Sequence, residues 1–157
     1  MRAAMIGVSL LLMGAQTPAD KDRLVGTWKL VSWVMEDDAT QARKPLYGEH
    51  PHGSATFTSA GRAFFILTGE GRKVPQTDEE RGAALRSMVA YTGHYRVEGD
   101  RFITTVDTAW NEAWVGTEQI RTFSVDGRRL TIVAMSQPNP NFANKLMHGI
   151  LAFEREE

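Results

Sequence analysis

Apolar and polar residues alternate along most of this chain, and the alternation predicts strands. From Leu24 to Met35 apolar residues fall on both faces, with Leu24, Trp28, Leu30 and Val34 on one and Val25, Val31, Trp33 and Met35 on the other. That pattern predicts a long strand with one face in a core and part of the other covered. Trp28 and Trp33 stand five positions apart, so a period of two sends one tryptophan inward and the other outward. The polar segment from Glu36 to Gly53 contains Pro45 and Pro51 and predicts a long loop. Two short strands, Ser54 to Thr58 and Ala63 to Leu67, then flank the turn "SAGR", with Gly61 as its permissive residue.

One segment breaks the alternation. "TDEERGAALRSMVAY" opens with a capping box, Thr77 and Glu80, and carries acidic residues in its first turn. Ala84, Leu85, Met88 and Val89 form an apolar stripe at helical spacing, slightly weakened by Gly82. After it come five strand-like segments: "YTGHYRV", "RFITTVDTAW", "TEQIRTFSV", "RRLTIVAM" and "MHGILAFER". Tight turns separate several of them, and Asp126-Gly127 is the strongest hairpin signal. About eight strands, one short helix and sequential hairpins predict an all-β antiparallel fold, a sandwich or an up-and-down barrel. A barrel of eight strands leaves room inside for side chains or one small ligand.

Composition narrows the classes. The 157 residues carry a formal charge of −1, so no bulk field favours nucleic acid or an anionic membrane surface. With no cysteine, a disulfide framework, a thiolate metal site, a cysteine nucleophile and a lipid-modified amino terminus are all excluded. The chain starts with Met1 and Arg2, an apolar run from Ala3 to Ala15, and then small and polar residues. The run is shorter than the roughly 20 residues of a spanning helix. It predicts a signal peptide over residues 1–19, with cleavage after Ala15 or Ala19, a periplasmic or secreted protein, and no stable membrane insertion of the mature chain.

Gly26-Thr27-Trp28 at the head of the first strand resembles the glycine-x-tryptophan signature of lipocalins. "AFERE" near the end resembles the final-strand segment whose arginine, here Arg155, packs over that tryptophan. Between them "YTGHYRVEGD", "WVGTEQIRTF" and "GRRLTI" resemble the bacterial and fungal lipocalin-like domain family. The resemblance spans Leu24 to Arg155 and implies an eight-stranded lipocalin-like barrel with one short helix. It places Trp28 inward at the closed end beneath Arg155, and Trp33 on the outer face, under the helix. It departs from secreted animal lipocalins in lacking cysteines and in carrying its helix after the third strand.

Strand parity selects candidates for the interior. Tyr91, Gly93, Tyr95 and Val97 share one face, and Gln119, Arg121, Phe123 and Val125 share another. Val97, Phe123 and Val125 mark these faces as inner. A buried arginine needs a partner. If Asp107 faces inward, the pair is a satisfied core element. If it faces outward, Arg121 becomes an anchor for a carboxylate or polar head group. Trp110 and Trp114 flank the turn "NEA", where they could cap the core or grip an apolar ligand at a barrel mouth. His50 and His52 form a weak metal motif with no third ligand nearby, and His94 and His148 stand alone.

These residues support a first reading: a barrel that binds a small, mainly apolar or amphipathic molecule with a polar or anionic end. Tyr95, Gln119, Arg121 and Phe123 would line it, Trp110 and Trp114 would form its rim, and no cofactor or metal is implied. No nucleophile elbow, phosphate loop or dinucleotide fingerprint is present. A second reading is a biosynthetic cyclase or isomerase working through a shaped pocket, with Tyr95 as donor and Arg121 as stabiliser of a carbonyl or enolate. A third is a packed structural or interaction domain.

Overall fold

Among the described residues, ten strands pair antiparallel into one sheet that closes on itself. The computed structural model describes residues 18–139 and 143–156. A short helix, α1 (Pro18–Leu24), leads into β1 (Gly26–Asp37), which is followed by β2 (Arg43–Pro45), β3 (His52–Phe57) and β4 (Arg62–Thr68). Helix α2 (Asp78–Arg86) precedes β5 (Met88–Glu98), β6 (Arg101–Ala109), β7 (Glu118–Asp126) and β8 (Arg129–Ala134). The chain finishes with β9 (Gln137–Asn139) and β10 (Lys145–Arg155). The pairing order is β2-β1-β3-β4-β5-β6-β7-β8-β10-β9, and β1 also pairs with β10. That last pairing closes an eight-stranded up-and-down barrel, with β2 and β9 as short additions at its edge. Closure removes the exposed edges of the eight long strands. The apolar run at residues 3–15 lies outside the described residues.

The two ends of the barrel differ. Tight turns after β3, β5 and β7 gather at the end where β1 begins and β10 finishes, while the connections containing β2, α2, the 110–117 turn and β9 gather at the other. The tight-turn end is solid. Trp28, Phe57, Phe102, Leu130 and Phe153 are all at most 1% exposed. Phe57 meets Phe65, Tyr95 and Phe102 edge to face at 5.1–5.5 Å between ring centroids, a preferred arrangement of aromatic quadrupoles.

Two β-bulges interrupt the sheet, and the one in β1 corrects the parity reading. In β1, Leu30 pairs with Phe153 and Ser32 with Ala152, so Val31 is an extra residue without a partner. A bulge of this kind reverses the alternation beyond it. Trp28 and Leu30 face inward before the bulge, and Trp33 and Met35 border the interior after it. The expectation that Trp33 lies outside under the helix is therefore overturned. In β6, Gly93 of β5 pairs with Val106 and Thr92 with Thr108, leaving Asp107 as the extra residue. Beside that bulge a Cβ on Gly93 would stand 2.1 Å from the Thr105 carbonyl oxygen, so no larger residue fits there.

Helix α2 has the capping box, with the Thr77 hydroxyl accepting from the Glu80 amide and the Glu80 carboxylate from the Thr77 amide. It stops at Arg86, and Met88 and Val89 open β5 instead of completing a helical stripe. No residue of α2 is buried, and Leu85 is 51% exposed. Nor is the stretch from Glu36 to Gly53 wholly loop, because β1 runs on to Asp37 and pairs with β2.

Candidate functional site

The loop end of the barrel encloses a cavity of about 520 Å³. That falls within the range of small-molecule sites, roughly 300–1,000 Å³. Its wall is apolar and rich in rings. Three of the four tryptophans line it (Trp33, Trp110 and Trp114), together with Tyr47, Phe65 and Tyr91. Phe65 stacks on Tyr91 at 4.5 Å, Tyr91 meets Trp114 at 5.4 Å, and Trp114 meets Trp110 at 4.8 Å. Across the cavity Trp33 meets Tyr47 edge to face at 5.0 Å. The indole Nε1 of Trp33 is buried without a hydrogen-bond partner among the described residues and packs against Gly149, which leaves it space.

Arg121 is the basic residue of this wall, delivered by β7 at the position opposite Ala134 of β8. Its guanidinium lies 6.0 Å from the Trp114 ring centroid. One nitrogen donates to the Ile120 carbonyl at 2.7 Å, and another donates to Gln119 Oε1 at 3.0 Å. The Gln119 amide nitrogen in turn donates to Thr117 Oγ1 at 3.1 Å, which orients the amide. Five donors in a fixed fork make a guanidinium suited to a carboxylate. No carboxylate pairs with Arg121 among the described residues. Asp107 faces outward and pairs with Arg62, and that guanidinium holds its carboxyl below the ordinary range. Glu118, the acid bordering the cavity, pairs with Arg96 at 2.7 Å. The packed reading, in which Asp107 satisfies Arg121 in a dry core, thus loses its partner.

Tyr91 supplies a second polar group. Its side chain lines the cavity, and its hydroxyl makes no hydrogen bond among the described residues. Burial pushes its pKa up to about 12 although the Arg121 charge pulls the other way, so it remains a neutral donor at physiological pH.

The residues singled out by sequence divide by height in the barrel. Gln119, Arg121, Trp110 and Trp114 all line the cavity. Tyr95 and Phe123 do point inward, but into the solid end. The Tyr95 hydroxyl donates to the Thr58 carbonyl at 3.0 Å, and Phe123 packs on Phe102 at 6.0 Å. Trp28 and Arg155 meet at the closed end, with the guanidinium 4.1 Å from the ring centroid. Parity missed Trp33, hidden by the Val31 bulge; it put Tyr91 on the inner face, but the lining was assigned to Tyr95 in its place. Tyr91 shares the inner face with Tyr95 but stands further from the tight turn at Gly99-Asp100. Distance from the tight turns was the available signal, and it places Phe123 low for the same reason. His50, His52 and His94 are exposed. His148 Nδ1 lies 2.7 Å from Asp38 Oδ1 on the outside of β10. Among the described residues no cluster of three His, Cys, Asp or Glu side chains could hold a metal.

A closed antiparallel barrel, solid at one end and hollow at the other, defines a binding-barrel architecture. The family model for the lipocalin-like domain matches residues 25–156, and the chain belongs to that family. No curated protein matches the chain in a sequence search.

Proposed function

We propose that this barrel binds a small, mainly apolar molecule carrying one polar or anionic end, and that it does so outside the cytoplasm after export. The observation that carries the binding reading is Arg121, a cation on the wall of an apolar cavity with no carboxylate partner among the described residues. A charge so placed is costly unless something meets it, and a ligand anion would do so. Support for export is the basic start and the apolar run from Ala3 to Ala15. The test is native mass spectrometry of the protein purified from its own host, followed by organic extraction. A stoichiometric small molecule with an acidic or polar group supports the reading. An empty protein that also refuses apolar fluorescent probes overturns it.

Catalysis is the second reading, and the Tyr91 hydroxyl is what favours it. With Tyr95 committed to Thr58, the donor of a cyclase or isomerase in this barrel would be Tyr91, working beside Arg121 on a carbonyl or enolate oxygen. Recovery of a rearranged molecule after incubation with a captured ligand would support this reading. Recovery of the unchanged ligand would leave binding alone.

A further inference from the structure

We propose that the ligand is a compact, planar, ring-bearing monocarboxylate and not a long-chain fatty acid; this rests on the binding reading above. The first argument is depth. Two successive inward positions line the cavity on β1 (Trp33 and Met35), on β4 (Phe65 and Leu67) and on β5 (Val89 and Tyr91), and three on β10 (Met147, Gly149 and Leu151). Below them the interior is filled by Trp28, Phe57 and Phe102. Two to three inward positions cover about 13–20 Å along a strand, and a strand tilt of about 40° shortens that to roughly 10–15 Å along the barrel axis. An extended hexadecanoate is longer than this. Bent to fit, it would give up its extended rotamers and gain mainly flat ring faces, which match a curled chain poorly. The volume of about 520 Å³ is therefore short and wide.

Shape of the wall is the second argument. Trp33 and Tyr47 present rings on one side, and Phe65, Tyr91 and Trp114 present them on the other. Offset-stacked and edge-to-face contacts reward a flat π-system over a flexible chain. Polarity is the third. Arg121 offers the remaining donors of its fork, and the neutral Tyr91 hydroxyl offers one more. Together they match one carboxylate, with no second cation in the wall among the described residues to hold a second acid.

Fluorescence titration of the full chain tests this, since three of the four tryptophans report on the cavity. The probes are naphthoate, neutral naphthalene and hexadecanoate, each checked for stoichiometry by native mass spectrometry. The expected result is one-to-one binding of naphthoate, tighter than of either other probe. Arg121→Met should weaken naphthoate binding about tenfold or more, the worth of a charge-assisted pair, and leave naphthalene within about twofold. Tyr91→Phe should weaken naphthoate by less. Hexadecanoate binding as tightly as naphthoate would overturn the compact-ring assignment while leaving a binding barrel. Naphthalene binding as tightly as naphthoate would overturn the carboxylate. Refusal of all three probes would remove the binding reading itself.

Discussion

The guanidinium of Arg155 lies over the ring of Trp28, 4.1 Å from its centroid, and donates to the carbonyls of Val25 at 2.8 Å and Arg23 at 2.6 Å. The indole donates to the Leu24 carbonyl at 2.8 Å. Three contacts from Arg155 tie the end of β10 to the entry of β1, the Trp28–Leu24 bond fixes the ring beneath it, and together they seal the bottom of the barrel. Trp28→Ala should cost about 3–5 kcal/mol of stability, and Arg155→Met about 1–2 kcal/mol, read from urea unfolding. Because both sit far below the cavity, the folded Arg155→Met protein should bind naphthoate as the parent does.

Arg121 should behave in the opposite way. It has no carboxylate to lose, so Arg121→Met in the empty protein should leave the urea midpoint unchanged or raise it. A large loss of stability would show that Arg121 holds the barrel together, and the ligand-anchor role would fall.

Gly149 sets the position of Trp33. A Cβ there would stand 3.1 Å from the indole Nε1, so Gly149→Val should push the ring into the cavity. The expected cost is about 1–3 kcal/mol from overpacking, with weaker uptake of every probe. A blue shift or quenching change confined to one tryptophan would report the movement.

Acid should loosen the loop end of β1. Lys145 donates to Asp37 at 2.9 Å, and the amides of Thr40 and Ala39 also donate to that carboxylate. The Lys145 hydrogen bond is the largest influence, and together these hold the Asp37 pKa down to about 2 from its ordinary 3.8. A carboxyl whose folded pKa is depressed stabilises the fold above its unfolded pKa, and that contribution is lost as pH falls through the folded value. Urea midpoints should therefore drop between about pH 4 and pH 2 in the parent, and drop less in Asp37→Asn. Equal drops in both would place the acid sensitivity elsewhere.

Much of the barrel was legible in the order of residues alone. Alternation marked the long strands, Asp126-Gly127 marked a hairpin, and Thr77 with Glu80 marked the start of α2, because each signal acts within a few residues of chain. Parity also sent Arg121 and Tyr95 inward, since β5 and β7 keep a strict period of two around those positions. Two things waited for the tertiary structure. The bulge at Val31 exists only because the partner strand skips a residue, so nothing local announces that Trp33 turns in. Alternation alone did not choose between the two faces of β6, so only the closed barrel put Phe102, Thr104 and Val106 inside and Asp107 outside. Height within the barrel was the other. Tyr91 and Tyr95 are equivalent by periodicity, yet one borders a cavity and the other is packed against Phe57. What separates them is which end the closed sheet fills with rings, a property of eight strands meeting and not of any one of them.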